Sequence, residues 1–397
     1  MSPGRERYPA LDGARAVAAI GVLVTHVGLL SGYISRTPSV GPYLARLDVG
    51  VSVFFVLSGF LLYRPFVAAR LRGLPPGDLA TYARRRILRI LPAYWVALTI
   101  IAFVLRAPAF EDPHSIVAHY LLLHVYDLDQ LVGGPIQQAW TLSTEVAFYV
   151  FVPLWAWLMS RPGRTGRAQL RLEVGGLLVL LVGSTLANLA LVGIGVSDSR
   201  FAQLGTWLPF RIGDFVPGML LAVLTAWVAQ RDLRLPRWVT GAGFAVACWV
   251  GALVAFWVVA TRLDLPMFPT FTPSQAFAVR ILYLIVAALL VAPAVLSARR
   301  GGLVGRVLAN PVAVWLGLIS YGIYIWHEAF QDVYLRWTGQ PALAASFVGM
   351  MVVTVLASLA AGAASWYVIE RPAMRVGARP PRRINGRGRR SEASEAN

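Results

Sequence analysis

Apolar residues in this chain come in long blocks rather than in the short periodic patterns of soluble helices and strands. A window of about 20 residues, the length needed to cross a bilayer, picks out ten blocks. Their approximate cores are 11–31, 49–70, 88–106, 141–160, 173–195, 207–229, 238–260, 275–297, 311–335 and 343–369. A shorter apolar stretch, 115–125, is too brief to span and is expected as a re-entrant or interfacial helix. In lipid only helices or closed barrels satisfy their own backbone hydrogen bonds. The pattern therefore predicts an all-α integral membrane protein of about ten transmembrane helices with one short extra helix.

Composition supports this reading. Of the residues, 57 % are hydrophobic and 14 % charged, against about 25 % charged in soluble domains. All 36 basic residues are Arg, and the formal net charge is +17. That charge would suit a nucleic-acid partner, but its placement points to membrane topology instead. With the N-terminus inside, the inner segments are 1–10, 64–89, 161–172, 230–237, 298–310 and 370–397, and they hold 27 Arg. The outer loops hold six, and Arg15, Arg211 and Arg280 lie within spans. Cytoplasmic loops carry such an excess. The expectation is a multi-pass plasma-membrane protein with both termini cytoplasmic.

Three segments follow: a cytoplasmic N-terminus 1–10, a transmembrane domain 11–370, and an Arg-rich cytoplasmic tail 371–397. The tail is expected to be disordered, with Arg residues able to touch anionic lipid. The single cysteine, Cys248, excludes an intrachain disulfide and a cysteine-based metal site. The polar start MSPGRERYPA and the lack of a small-x-small exit site make the first block an uncleaved span.

The first block carries the most unusual chemistry. Its sequence LDGARAVAAIGVLVTHVGLLS is interrupted by Asp12, Arg15 and His26. Arg15 and His26 share one helical face, roughly 16 Å apart along the axis. Arg15 either snorkels at the cytoplasmic interface beside Asp12 or serves function. His26 lies well past the middle of the span. It is either a hydrogen-bonded structural imidazole or a general base titrating near neutral pH.

Four further stretches stand out. In Ala83–Ile90 the spacing puts several guanidinium groups on one helical face. They are suited to phosphate or to plain membrane anchoring. Glu145, in QAWTLSTEVAFYVFVP, either pairs with an intramembrane Arg or orients a catalytic His. Arg211 and Asp214 are i,i+3 and can neutralise each other. His327 and Glu328 lie near the outer end of their span. There Tyr321, Tyr324 and Trp326 form either an aromatic belt or a substrate lining. His114, His119 and His124 recur every five residues, which does not put metal ligands on one helical face. No P-loop, GxSxG elbow or HExxH occurs, which weighs against an ATPase, a serine hydrolase and a zinc protease.

Together these residues resemble a known family. LDGARAVAAIGVLVTH (11–26), GVSVFFVLSGFLL (50–62), RRRILRILPAY (84–94), WTLSTEVAFYVFVP (140–153), 211–220 and 320–327 are similar to the membrane-bound acyltransferase 3 family. The resemblance spans about residues 8–372 and is nearest the stand-alone type grouped with macrolide acyltransferases. It implies acyl transfer, often acetyl, from acyl-CoA to a hydroxyl of a saccharide, envelope glycan or macrolide. Its Arg-x10-His motif falls on Arg15 and His26, linked to catalysis, and its Arg-x-x-Arg motif on Arg86 and Arg89, linked to CoA. Glu145 takes the acidic position of the Trp-Thr/Ser-Leu-x-x-Glu pattern. Many members have Asp where Ser52 stands here, and Asp48 lies one turn away. Some members carry a C-terminal SGNH hydrolase-like domain, which the 28 or so residues after the last span are expected to lack.

The resulting expectation names His26, Glu145 and Arg15 as catalytic residues. Arg86, Arg89 and Arg15 hold the donor, and Arg211, His327 and Ser58 contact substrate. Acyl-CoA, with acetyl-CoA first, is the donor; no metal and no permanently bound cofactor is expected. Partners are the bilayer, the donor and the saccharide or macrolide acceptor, with no nucleic acid; oligomeric state is left open. His26 acts either as base for direct transfer or through an acyl-His intermediate. A polytopic transporter or flippase without transferase chemistry is the alternative, weakened by the absence of an internal repeat.

Overall fold

The computed structural model describes residues 8–75, 77–105, 110, 112–127, 134–160, 166–267, 271–297 and 302–378. Ten long helices follow one another and match the ten apolar blocks. They are α1 Pro9–Leu30, α2 Gly50–Leu71, α3 Leu79–Thr99, α4 Trp140–Leu158, α5 Gly166–Gly193, α6 Leu208–Gln230, α7 Ala242–Thr261, α8 Pro273–Leu296, α9 Pro311–Thr338 and α10 Phe347–Ser365. Among the described residues, nine helices are long and apolar enough to cross a membrane. The tenth, α9, has 28 residues, but His327, Glu328, Asp332 and its tyrosines dilute its apolar character. Ionisable groups at that depth face the protein interior or a wet cavity, and His327 is fully buried.

The expected short helix is present as Pro113–Tyr120, followed by a 3-10 turn His124–Tyr126. The segment expected as a disordered tail begins as a helix, Arg371–Ala378. It packs on α3, with Gly377 against Leu88 and Arg85. Residues 379–397 of that tail and 1–7 of the N-terminal segment lie outside the described residues.

Lipid is as apolar as leucine, so helix association depends on close packing and interhelical hydrogen bonds. Glycines supply the closest approaches. A Cβ on Gly218 would stand 1.9 Å from the Val56 carbonyl oxygen, and one on Gly59 would stand 2.1 Å from that of Phe215. These reciprocal contacts seat α6 on α2. Aromatic rings fill the space beside them: Phe215 stacks on Phe148 at 3.9 Å and tilts against Phe55 at 4.8 Å. Gly317 does the same for α1 and α9, since a Cβ there would meet the Asp12 carbonyl oxygen at 2.0 Å. The first and ninth spans are thus neighbours, and their side chains meet.

Two buried carboxylates are paired with Arg residues, which offsets the cost of a charge in a low-dielectric interior. Glu173 on α5 is fully buried; it meets Arg70 of α2 at 2.6 Å and accepts hydrogen bonds from Gln169 and Tyr63. Asp214 on α6 bridges Arg211 at 3.0 Å and Arg280 of α8 at 3.1 Å, and Arg280 also donates to Asn188. On α3, the Asp78 side chain caps the N-terminus by accepting from the Thr81 backbone N–H at 2.8 Å. That cap and the Thr81 hydroxyl hold its carboxyl below the usual range.

Candidate active site

The site has two ends, joined by α1. At one end, α9 places His327 and Glu328 against His26. His26 Nδ1 lies 2.7 Å from His327 Nε2 and 2.7 Å from Glu328 Oε1. The two imidazoles stack with centroids 5.0 Å apart. His327 Nδ1 lies 2.7 Å from the Tyr324 carbonyl oxygen. A carbonyl only accepts, so His327 Nδ1 carries the proton and Nε2 offers its lone pair. Glu328 likewise only accepts when ionised. Both contacts of His26 Nδ1 therefore call for a proton on that nitrogen, which leaves the lone pair on His26 Nε2. The His26 and Glu328 side chains are 25 % and 23 % exposed, open enough for a substrate to reach them.

These three residues also form a group with metal-ligand atoms within 4.8 Å of one another. Ligand atoms around a tetrahedral zinc stand about 3.3 Å apart, given metal–ligand bonds of about 2.0–2.1 Å. Both contacts of His26 Nδ1 are shorter, at hydrogen-bond length. The trio is organised as an imidazole–carboxylate pair with a second imidazole alongside.

At the other end a cavity of about 80 Å³ is lined by Arg15, Arg89, Ser58, Glu145 and Tyr149. Arg15 is paired with Asp12 at 3.2 Å, the i,i+3 contact visible in the sequence. Glu145 accepts hydrogen bonds from Ser58 at 2.8 Å and Tyr149 at 2.9 Å. Arg86 lies over the rings of Tyr82 and Tyr149, at 5.8 and 6.0 Å from their centroids. Arg89 donates to Met374 Sδ of the C-terminal helix at 3.4 Å. Neither Arg86 nor Arg89 has a carboxylate partner among the described residues. Two half-buried guanidinium groups with no carboxylate at salt-bridge distance among the described residues make a receptive site for phosphate.

The same cavity reaches Val51, Phe54, Thr141, Ser320 and Tyr324. Helix directions order this lining. On α4, Thr141 is four residues from Glu145, about 6 Å along the axis; on α9, Tyr324 is one turn short of His327. A column of rings continues upward: Phe54 to Tyr324 at 5.6 Å, Tyr324 to His327 at 5.9 Å, His327 to His26 at 5.0 Å. The Tyr324 hydroxyl is held 3.0 Å from Thr141 Oγ1. One tyrosine thus separates the cavity from the imidazole pair.

The structure brings Arg15, Arg89, Glu145 and Ser58 together around the cavity, with Arg86 beside it, and brings His26 and His327 together at the far end. Glu145 does not meet His26; the carboxylate beside that imidazole is Glu328. Arg211 is held elsewhere, donating to the Gly205 carbonyl at 2.6 Å and lying over Trp140 at 5.2 Å, besides its Asp214 pair. Ser52 is buried, while Asp48 accepts a hydrogen bond from the Tyr283 hydroxyl. Sequence reasoning noticed Glu328 and Tyr324 as neighbours of His327 but had no signal for their partners, which come from other spans.

Comparison with known proteins bears on the family of the chain. The family model described as an acyltransferase domain matches residues 8–363. A Staphylococcus aureus (strain COL) chain provisionally named an O-acetyltransferase is 23 % identical over 340 residues, covering 81 % of this chain and 50 % of its own. Acyltransferase MdmB of Streptomyces mycarofaciens is 31 % identical over 172 residues, 41 % of this chain and 42 % of its own. O-acetyltransferase OatA of Staphylococcus aureus (strain NCTC 8325 / PS 47) is 28 % identical over 164 residues, 37 % of this chain and 24 % of its own. The chain spans half or less of the length of these curated relatives. No solved structure matches.

Proposed function

The chain belongs to the acyltransferase 3 family, and from that premise we propose that it transfers an acyl group from acyl-CoA to a hydroxyl of a saccharide, envelope glycan or macrolide. The observation that carries this reading is the single-ring separation between an Arg-lined cavity and an imidazole–carboxylate pair. The cavity suits an anionic, thin-stemmed donor; the pair suits proton abstraction from a hydroxyl.

Arg86, Arg89 and Arg15 hold the CoA phosphates from the cytoplasmic side of the plasma membrane. The pantetheine arm runs through the cavity past Glu145 and Ser58 and carries the thioester toward Tyr324. The acceptor enters from the opposite, His26 end. His26 Nε2 takes the proton of the acceptor hydroxyl as its oxygen attacks the thioester carbonyl carbon. Glu328 and His327 hold the Nδ1 proton in place, and the carboxylate stabilises the imidazolium that forms. The tetrahedral intermediate collapses by breaking the C–S bond. The thiolate recovers the proton from His26, so the products are an ester and free CoA. Asp12 and Glu145 balance the Arg15 charge.

The test is transfer of labelled acetyl from acetyl-CoA by the purified protein to glycan and macrolide acceptors, with His26→Ala as control. Label in a glycan or macrolide ester, lost in His26→Ala, is the expected result. No label in any acceptor would leave the chain a transporter or flippase, and full transfer by His26→Ala would remove the imidazole from the mechanism.

A further inference from the structure

The cleft between the start of α5 and the end of α6 plays no part in the chemistry above. It holds about 500 Å³ and is lined by Arg167, Leu170, Arg171, Trp227, Arg231 and Leu233. Ligand pockets run to about 300–1,000 Å³, so the space suits a small polar group. Arg231, just past α6, lies over the Trp227 ring at 4.8 Å. It also reaches the first turn of α5: a Cβ on Gly166 would stand 3.1 Å from Arg231 Nη2, and Gly166 itself takes a left-handed φ of 62°. Arg167 and Arg171 are i,i+4, about 6 Å apart along the axis. Three guanidinium groups from two helix ends thus converge on one cleft. Among the described residues none of the three has a carboxylate at salt-bridge distance. Glu173, the acidic residue of α5, is fully buried against Arg70. Asp232, which follows Arg231, is exposed and pairs with none of them.

The rest of α5 points to the occupant. Of its 28 residues only Gln169, Glu173, Leu177, Ser184 and Asn188 are buried, a single stripe at helical spacing. Leu178, Val182 and Leu189 are exposed, and in an apolar span such a face meets lipid chains. At about 100° per residue, Arg167 and Arg171 fall on that same face. The basic cleft is therefore the end of a lipid-facing surface. We propose that it binds the headgroup of an anionic glycerophospholipid, with the phosphodiester among Arg167, Arg171 and Arg231 and an acyl chain along Leu178 and Val182. The Arg distribution along the chain puts this end at the cytoplasmic face, so the lipid comes from the inner leaflet. Basic pockets between spans on that side take anionic headgroups, and Trp227 suits the level of the interface. A zwitterionic headgroup brings its own cation, which three guanidinium groups without a carboxylate repel.

The test is native mass spectrometry of the full-length protein, released from micelles carrying equal amounts of phosphatidylglycerol and phosphatidylcholine with identical acyl chains. One Arg beside an anionic lipid surface contributes about fivefold. One phosphatidylglycerol should accordingly be retained up to about 100-fold better than phosphatidylcholine. Changing Arg167, Arg171 and Arg231 together to Gln should bring the two lipids to within about twofold of each other. All three are exposed, so the fold does not depend on them. A control removes three other exposed Arg of the same face, Arg72→Gln, Arg306→Gln and Arg371→Gln, and should leave the preference within about twofold of its original value. Equal retention of the two lipids by the unaltered protein would overturn the proposal. So would an equal loss of preference in the control, which would assign it to the charge of the whole face. Displacement of the lipid by an equimolar amount of inorganic phosphate would make the cleft a soluble-anion site and overturn the lipid assignment.

Discussion

His26 and Glu328 meet at 2.7 Å although they come from the first and ninth long helices of the chain. The contact assigns a job to each ring nitrogen of His26: Nδ1 keeps its proton against two acceptors, and Nε2 is left basic. A glutamine at position 328 would preserve shape but can turn its amide N–H toward His26 Nδ1 and invert that tautomer. Glu328→Gln is accordingly expected to lower kcat by about 10²-fold or more, with His26→Ala at least as severe. The donor KM should stay within about twofold for Glu328→Gln, since the carboxylate lies beyond the cavity. Steady-state kinetics with both substrates varied separates the two parameters, and a full kcat in Glu328→Gln would make the pairing ornamental.

Arg86 and Arg89 make the opposite prediction. They sit at the far end from His26, without carboxylate partners at salt-bridge distance among the described residues, so their loss should affect donor binding and leave the chemical step alone. A hydrogen bond to a charged group contributes about 1.5–3 kcal/mol, so each Arg→Ala change should raise the acyl-CoA KM by about 10- to 100-fold with kcat nearly unchanged. A donor KM that does not move in the double variant would return both residues to membrane anchoring.

The spans and the site were unequally legible in the sequence. Each span is a local property: about 20 apolar residues must be helical in lipid, so all ten helices fall close to their apolar blocks. The Arg15–Asp12 and Arg211–Asp214 pairs were legible for the same reason, because i,i+3 neighbours meet on any helix. The pairing of His26 with Glu328 was not, because it depends on which spans pack together. That choice is made by contacts such as Gly317 on the Asp12 backbone, which no periodicity reveals. Glu145 shows the cost of the gap. A carboxylate in a span requires a partner, and the sequence offered an intramembrane Arg or a catalytic His, whereas the fold supplies Ser58, Tyr149 and a cavity shared with Arg15. The helix Arg371–Ala378 was hidden by composition: read with the polar residues after it, it looks like tail, yet Gly377 gives it a close fit on α3.

Glu173 tests the packing rather than the chemistry. It is fully buried and neutralises Arg70 while accepting from Tyr63 and Gln169. Removing one member of such a pair typically costs about 3–5 kcal/mol, because the other charge stays buried and unpaired. Glu173→Ala should therefore lower the thermal midpoint of the detergent-purified protein sharply. The double change Arg70→Met with Glu173→Leu, which removes both charges, should recover most of the loss. Equal destabilisation by the single and double variants would show that the pair is worth more than the cavity it fills.

The short helix Pro113–Tyr120 and the turn after it carry a pH-sensitive element of their own. His124 is 2 % exposed, stacks on His119 with centroids 4.7 Å apart, and has no hydrogen-bond partner for either ring nitrogen among the described residues. Burial, with a smaller contribution from His119, pushes its imidazole down to about 3, against about 6.5 for an unfolded histidine. A group depressed in the folded state binds its proton more readily when the segment opens. The stability of the segment is therefore fully present above about pH 6.5 and is lost as pH falls toward the folded value, by up to about 1.4 kcal/mol per pH unit. Amide hydrogen exchange over residues 113–127, corrected for the intrinsic pH dependence of exchange, should show protection falling between pH 7 and pH 5. The core of α2 should change little. His124→Phe keeps a ring against His119 and removes the titrating group, so its protection should be flat over the same range. Equal pH dependence in that variant would place the sensitive group elsewhere.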